Sequence, residues 1–350
     1  MLDFIIEKSA LAAAVFTLSL VVAMYSTYME RKVAAFLQDR IGPNRAGPFG
    51  LFQPLADGAK MFFKEEFTPS NADKILFIVS PGIAMFTATM TSAVIPWGAD
   101  FIHNGRVISL QISDINIGML YILGFLSVGI YGILIGGWAS NNKYSLFSSI
   151  RASSQMISYE LAMGLLIITI VMMTGSMNLK DIVSQQSGGL YGISALQGLN
   201  WNVFYQPLAF ILFLTCALAE CNRAPFDMAE CETELIGGYH TEYSSMKLGF
   251  FLFAEYINMF VSSAIISILF FGGYAFPGMQ HFEGIPLAVL SFGAMMLKTV
   301  FFIFVFMWIR WTLPRFRYDQ LMELGWKKLI PISLINMLIT AAVILYFKGN

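Results

Sequence analysis

Three acidic residues and one lysine stand inside long apolar runs of this 350-residue sequence, and they are the first candidates for chemistry. They are Glu160, Glu220, Glu255 and Lys298. A charged side chain at bilayer depth is costly unless it is paired or hydrated, so such residues mark ion or proton pathways or local pairs. A local pair, such as Glu255 with Lys298, explains any single residue as well as a function does. Several such groups in one chain favour a proton or ion route from one face of the membrane toward its centre.

The segment 220–245 concentrates carboxylates. After Glu220 it carries further acidic residues, namely Asp227, Glu230, Glu232, Glu234 and Glu242. Closely spaced carboxylates raise one another's pKa, which lets some of them exchange protons near neutral pH. Acidic loops are commonly solvated, but here apolar and aromatic residues such as Phe226, Met228 and Tyr239 alternate with the acids. The sequence therefore predicts a loop that packs against something.

The segment 30–74 is basic and rich in glycine and proline. Its stretch IGPNRAGP, residues 41–48, is typical of turns. From Phe49 to Phe63 the pattern changes, and apolar residues recur at helical spacing: Phe52, Leu55, Ala56, Ala59 and Phe63. Gln53, Asp57, Lys60 and Lys64 lie between them, which predicts an amphipathic helix in the membrane interface. Such a helix is either a plain anchor or the frame of a portal for a lipid-soluble molecule.

The elements that must position these segments are apolar helices. The chain is 57% hydrophobic and 12% charged, with a mean hydropathy of +0.67, whereas ordinary soluble domains carry about 25% charged residues. Eight runs are long enough to cross a hydrocarbon core of about 30 Å. They cover residues 9–29, 75–96, 117–138, 157–175, 205–221, 246–273, 286–310 and 329–347. We expect an all-α, polytopic membrane bundle of about eight transmembrane helices plus one interfacial helix, forming a single domain over 1–350.

Other residue patterns exclude several classes of chemistry. Cys216, Cys221 and Cys231 show no C-x-x-C spacing, and the three histidines are scattered, so we expect no metal and no bound redox cofactor in this chain. The sequence contains no Gly-rich phosphate loop, no nucleophile triad and no nucleic-acid-binding patch. The pairs Gly136–Gly137 and Gly272–Gly273 are typical of close helix packing.

Basic residues are distributed unequally between the two predicted faces. Sixteen lysines and arginines fall on the face that carries segments 30–74 and 220–245, and four fall on the other. The positive-inside rule therefore predicts that these segments face the cytoplasm and that both termini lie outside. We expect a multi-pass protein of a bacterial inner membrane, with an organellar membrane as the alternative.

Three motifs resemble the H-subunit family of NADH-quinone oxidoreductase, respiratory complex I. They are ERKVAAFLQDRIGPNRAGPFGLFQPLADGAKMFFKEE (30–66), SYELAMGL (158–165) and AECNRAPFDMAECETELIGGYHTEY (219–243). The resemblance extends over nearly the whole chain. It implies a protein that carries no redox centre itself and works beside hydrophilic connecting-arm subunits and small membrane subunits. FMN and iron–sulfur clusters are expected in those partners, with quinone as the substrate, membrane lipids around the chain and no nucleic acid.

The resemblance also implies roles for particular residues. One set belongs to the quinone chamber or its portal: Arg31, Arg40, Arg45, Phe52 and Asp57. A second set belongs to the proton or charge path: Glu160, Glu220, Glu230, Glu232 and Glu234. Glu255 joins the second set because of its predicted depth in the membrane. Quinone is expected to enter beside the amphipathic helix, and its reduction is expected to shift charge along the acidic path and so to drive proton translocation.

Three alternatives remain on the sequence alone. A membrane component of an energy-converting hydrogenase shares parts of both long motifs, but its partner would carry nickel. A stand-alone ion-coupled transporter commonly shows an internal repeat, and this sequence shows none. A passive membrane anchor would account for the basic face but not for Glu160, Glu220 and Glu255.

Overall fold

Helices hold 74% of the chain, and they follow the apolar runs of the sequence. The computed structural model describes residues 2–103, 106–189, 198–228 and 237–349. Within these ranges the α-helices are α1 (Leu2–Leu37), α2 (Gln53–Phe62), α3 (Lys74–Thr91), α4 (Gly118–Ala139), α5 (Lys143–Thr174), α6 (Leu179–Gln186), α7 (Asn202–Tyr205), α8 (Pro207–Glu220), α9 (Ser245–Phe271), α10 (Gly284–Thr312), α11 (Tyr318–Glu323) and α12 (Ile330–Gly349). A π-helical turn, Leu324–Leu329, joins α11 to α12. A small antiparallel hairpin pairs β1 (Phe101–His103) with β2 (Arg106–Ile108), with Phe101 opposite Ile108.

The eight predicted spans coincide with eight of these helices, and the all-α membrane bundle is confirmed. Seven candidate spans are long and apolar enough to cross a membrane. The eighth, α8, has 14 residues and rises only about 21 Å, less than a hydrocarbon core of about 30 Å. It is followed by the buried residues 221–228, which continue into the protein rather than into water.

Two helices are longer than their apolar runs. Helix α1 continues eight residues past the predicted end at residue 29, which places Glu30 and Arg31 on the helix. Helix α5 begins at Lys143 rather than near residue 157. Its first turns are rich in serine and were missed because hydropathy is low there. They are helical because tertiary contacts satisfy the polar groups: Ser145 donates to the carbonyl of Tyr239 at 2.6 Å. Glu160 therefore lies 17 residues into α5, whereas the predicted span 157–175 would place it near the start of the helix.

Helix α9 is the centre of the bundle. It is buried over most of its length and packs against α1, α3, α8 and α10. Beside it, α4 packs closely on α3 and α5 through glycines. A Cβ atom at Gly136 would lie 2.7 Å from Ser80 Oγ, and one at Gly137 would lie 2.3 Å from Ser149 Oγ. The predicted close packing at this pair is confirmed.

The second glycine pair and Lys298 together close the end of α9. Gly272 and Gly273 have φ angles of 72° and 51°, a left-handed conformation that favours glycine and ends the helix. Lys298 Nζ donates to the carbonyls of Phe271, Gly273 and Ala275 at 2.7–2.8 Å. Lys298 thus neutralises the carbonyl end of α9 and does not pair with Glu255.

Contacts between loops show which of them lie at the same face of the bundle. At one face, Asp73 N donates to the Ala139 carbonyl at 3.2 Å, and Asn142 donates to Glu242 at 2.7 Å. At the other, Lys8 Nζ donates to the Gln111 carbonyl at 2.8 Å. We call the first face the basic face, because it carries segments 30–74 and 220–245. Residues that the sequence placed on one side of the membrane therefore do lie together.

Candidate functional site

Helix α2 turns its apolar face away from the protein. Its apolar residues are exposed, including Phe52, Leu55 and Phe63, while Pro54 is buried. Polar Asp57 is on the inward side, where Gln53 donates to it at 3.0 Å. An amphipathic helix in water would bury its apolar stripe, so this orientation is typical of a helix that lies on lipid.

A cavity of about 230 Å³ lies behind α2. Helices α1, α2, α9 and α10 form its walls, with one side chain from the segment after α8. Apolar residues such as Met24, Leu252 and Phe253 line part of it. Its polar lining consists of Thr27, Glu30, Arg31, Asp57, Arg223, Tyr256 and Arg310. Arg31 and Asp57 form a half-exposed salt bridge of 2.7 Å in its wall. A mostly apolar cavity with a few convergent polar groups has the make-up of a ligand site.

Glu30 is held by one ion pair and two hydrogen bonds. Arg310 forms a 2.6 Å salt bridge with its Oε1 atom. At Oε2, Tyr256 donates its hydroxyl at 2.9 Å and Arg223 donates at 3.4 Å. Glu30 is only 8% exposed, and a buried carboxylate persists where it is paired and hydrogen-bonded in this way.

Arg223 continues this arrangement away from the cavity. Its Nη2 atom lies 3.9 Å from Glu255 Oε2, and its guanidinium lies 4.1 Å from the centre of the Tyr256 ring. Glu255 also accepts a hydrogen bond from the Tyr239 hydroxyl at 3.2 Å. The ion-pair chain from Arg310 through Glu30 and Arg223 to Glu255 therefore connects the cavity wall to the interior of α9.

Glu220 and Glu160 lie on the other side of Glu255. Glu220 is 1% exposed, and neither of its carboxylate oxygens has a hydrogen-bond partner among the described residues. Glu160 on the adjacent helix α5 is half-buried and accepts a hydrogen bond from Ser127 on α4. The two carboxylates are close enough for their charges to interact.

The described parts of segment 220–245 are packed, as the sequence predicted. Every residue from 216 to 228 is buried. Gln155 donates to the carbonyls of Ala219 and Phe226 at 2.9 and 2.7 Å, and Arg315 forms a 3.1 Å salt bridge with the buried Asp227. At the end of the segment, the Tyr243 ring stacks on Phe77 with centroids 4.0 Å apart, and burial raises the pKa of Tyr243 to about 12. Residues 220–228 and Tyr243 are therefore part of the protein core.

Known proteins resemble this chain over nearly its full length. A family model described as NADH dehydrogenase matches residues 10–341. The chain is 62% identical to the NADH-quinone oxidoreductase H subunit of Flavobacterium johnsoniae, covering 98% of this chain and 96% of the relative. It is 46% identical to the H 1 subunit of the same enzyme in Geobacter metallireducens, covering 98% of each.

The chain belongs to the H-subunit family of NADH-quinone oxidoreductase. It is accordingly a multi-pass membrane component of a multi-subunit oxidoreductase, and the resemblance in its three motifs is confirmed. Membership of this family supports complex I over a hydrogenase-type complex and over a stand-alone transporter.

In this member of the H-subunit family, the structure brings together only some of the predicted site residues. Arg31 and Asp57 line the cavity, and Glu220 and Glu255 line a second, smaller cavity. Arg40, Arg45 and Phe52 are exposed and outside the cavity lining. Glu230, Glu232 and Glu234 lie outside the described residues. The functional roles of both sets remain predictions.

Three residues of the ion-pair chain, Glu30, Arg223 and Arg310, belong to neither predicted set of site residues. Glu30 and Arg310 each stand near the end of a long apolar helix, where a charge is ordinary, and 280 positions separate them. Arg223 stands in the acidic segment, where the sequence presents it only as an opposing charge. For Glu30, the one signal that could have identified it as a site residue is a carboxylate on the side of the helix that faces the bundle rather than water. Among the residues that the structure describes, no cluster of three or more His, Cys, Asp and Glu side chains is arranged to hold a metal, and Cys216 and Cys221 are buried thiols.

Proposed function

We propose that the cavity behind α2 admits quinone and that the ion-pair chain transmits its redox state to a proton path through Glu255, Glu220 and Glu160. The observation that carries this proposal is Arg223, which contacts Glu30 in the cavity wall at 3.4 Å and Glu255 in the interior at 3.9 Å. One buried cation is thus shared by two carboxylates.

The cavity suits an amphipathic ligand that comes from the bilayer. Its volume of about 230 Å³ approaches the lower end of small-ligand pockets, about 300 Å³. The apolar residues of α2 face outward, as expected for a helix that lies on lipid, and this supports entry of the ligand from the membrane. Arg31, Asp57 and Tyr256 supply charge and hydrogen-bonding groups for a quinone head, while Met24, Leu252 and Phe253 suit its apolar tail.

Charge changes at the cavity act on the path through Arg223. Quinone reduction takes up protons, and a change in charge beside Glu30 alters how strongly Glu30 holds Arg223. Because Arg223 is the cation nearest to Glu255 among the described ion pairs, a weaker or stronger Glu30 contact changes the free energy of ionised Glu255. Glu255 then exchanges a proton with the path, and Glu220 and Glu160 carry it onward.

The wider setting of the chain is part of the proposal. Electrons do not pass through this chain, and FMN and iron–sulfur clusters belong to hydrophilic partners that dock on the basic face. We place the protein in a bacterial inner membrane with both termini outside, which the distribution of basic residues supports.

The test is Glu220→Gln in the intact complex, with Glu323→Gln as the matched control, since Glu323 is an exposed partner of Lys327. In Glu220→Gln we expect quinone reductase activity and proton pumping to fall together, while NADH oxidation by an artificial acceptor stays normal. The control is expected to retain all three activities. Normal pumping in Glu220→Gln would refute the proton path.

A further inference from the structure

A second, much smaller cavity lies between the buried glutamates. Its volume is about 20 Å³, and residues of α3, α4, α5 and α9 surround it together with the end of α8. Its polar rim consists of Glu220, Asn222, Glu255 and Asn258, with Thr87 and Tyr239 beside them. Asn258 follows Glu255 by three residues on α9, so both occupy the same face of that helix.

The rim carries several polar atoms that the described protein leaves unsatisfied. Both carboxylate oxygens of Glu220 and the Oδ1 atoms of Asn222 and Asn258 are buried and have no hydrogen-bond partner among the described residues. Glu220 and Asn222 are 1% and 3% exposed. Thr87 does not donate a hydrogen bond to these atoms, because its hydroxyl donates to the carbonyls of Ile83 and Ala84 at 3.0 Å. Buried polar groups in native proteins are nearly always hydrogen-bonded to protein or to ordered water.

Apart from the one proton that Glu220 carries when it is neutral, these unsatisfied atoms are acceptors, so the group that satisfies them must be a donor that can also accept. Water donates two hydrogen bonds, and a cavity holds a water when about 10–15 Å³ is accessible and two or more polar partners surround it. The cavity meets both conditions with about 20 Å³. The cavity carries two carboxylates, and no group of three or more His, Cys, Asp and Glu side chains among the described residues is arranged to hold a metal ion, so we assign water.

We infer that Asn222 and Asn258 position a buried water between Glu220 and Glu255 and that protons cross between the two glutamates through it. The asparagines are positioning residues: at any moment the water donates one hydrogen bond to an asparagine oxygen and one to Glu255, and the asparagines exchange no proton themselves. In the transfer, protonated Glu220 gives its proton to the water oxygen, and the water gives a different proton to the Glu255 carboxylate. One O–H bond breaks and one forms at each step, and the water is regenerated.

This inference rests on the proposed function, since it completes a gap in the same proton path. It adds two residues that carry no charge and that the glutamate pattern of the sequence does not mark. The direct test is a high-resolution map of the intact complex, which should show one water within hydrogen-bonding distance of Glu220 and Glu255 and of at least one of the two asparagine oxygens. A map with that position clear of density would overturn the inference.

The functional test uses Asn258→Leu, which removes the acceptor and fills the space. We expect coupled quinone reductase turnover and proton pumping to fall about tenfold, equivalent to about 1.4 kcal/mol and to the loss of one hydrogen bond to a charged site. Asn258→Ser is expected to recover most of the activity, because its hydroxyl accepts a hydrogen bond and leaves room for water.

Asn336→Leu is the matched control. Asn336 is a buried asparagine of α12 that donates to Gln206 at 3.2 Å, away from the glutamates. The complex with Asn336→Leu should pump protons at the normal rate. Equal losses in Asn258→Leu and Asn336→Leu would reduce Asn258 to a packing residue and refute the inference.

Failures of the two proposals can be distinguished. If Glu220→Gln pumps normally, the proposed proton path fails whatever Asn258 does. If Glu220→Gln loses pumping while Asn258→Leu pumps normally and the map shows no water, only the bridging water fails. A bound species that depends on sodium at constant ionic strength would overturn the assignment of water in favour of a monovalent cation.

Discussion

Glu30 and Glu220 are both buried carboxylates near the basic face, yet their surroundings are opposite. Glu30 forms an ion pair with Arg310 at 2.6 Å and accepts hydrogen bonds from Tyr256 and Arg223 at 2.9 and 3.4 Å. Glu220 has no hydrogen-bond partner among the described residues and faces a cavity of about 20 Å³. Burial without partners disfavours a charged carboxylate, whereas burial with cations stabilises one.

The difference indicates two kinds of work. Glu30, bound by two arginines and a tyrosine, holds α1, α9 and α10 together around the larger cavity. Glu220 has no such partner, so its charged form is not stabilised in the same way, which is compatible with the proposed role as a proton carrier. Arg223 connects the two regions, because it lies within reach of Glu30 and Glu255, and Glu255 lines the small cavity together with Glu220.

The largest expected effect is on stability, which should fall when Glu30 is replaced but not when Glu220 is replaced. Glu30→Gln removes the buried carboxylate that Arg223 and Arg310 share, and we expect a loss of about 3 kcal/mol in stability, the scale for breaking one side of a buried ion pair. Glu220→Gln removes no ion pair and should leave stability unchanged. The measurement is thermal unfolding of the purified complex for both variants. Equal destabilisation by the two substitutions would remove the contrast between them.

A second prediction concerns Lys298, whose Nζ atom donates to three carbonyls at the end of α9. Lys298→Met should cost about 2 kcal/mol, since hydrogen bonds of a charged group are lost and the carbonyls lose their cation. Proton pumping per quinone reduced should stay normal, because Lys298 is not part of the ion-pair chain. A loss of proton pumping with unchanged thermal stability would instead indicate that Lys298 is part of the proton path.

The smallest expected effect on stability is at the half-exposed Arg31–Asp57 pair. Arg31→Gln should change stability by less than about 1 kcal/mol, because solvent screens the pair. If the cavity binds quinone, the same variant should raise the KM for quinone with little change in kcat. Steady-state kinetics of the complex measure this split. Lys327→Gln, at an exposed pair with Glu323, is the control that should alter neither constant.

The fold followed from the sequence to a large extent. Each of the eight apolar runs is represented by a helix, and the amphipathic pattern of residues 49–63 predicted α2. Helix ends were less predictable, since the serine-rich start of α5 is anchored by contacts with the segment after α8: Ser145 donates to the Tyr239 carbonyl and Ser148 to the Met228 carbonyl. The pairing suggested for Glu255 and Lys298 was wrong, because the carbonyls of residues 271–275 lie nearer to Lys298.

By itself, the sequence determined the membrane class, the helical bundle, the unequal charge of the two faces and the family, because each depends on composition, periodicity or contiguous motifs. Only the tertiary structure decided which charges meet. Glu30, Arg223 and Arg310 come from three distant segments, and Asn222 and Asn258 face Glu220 only after α8 and α9 have packed. Hydropathy gives the free-energy cost of placing a residue type inside the membrane. The partners that reduce this cost are determined by the way the helices pack.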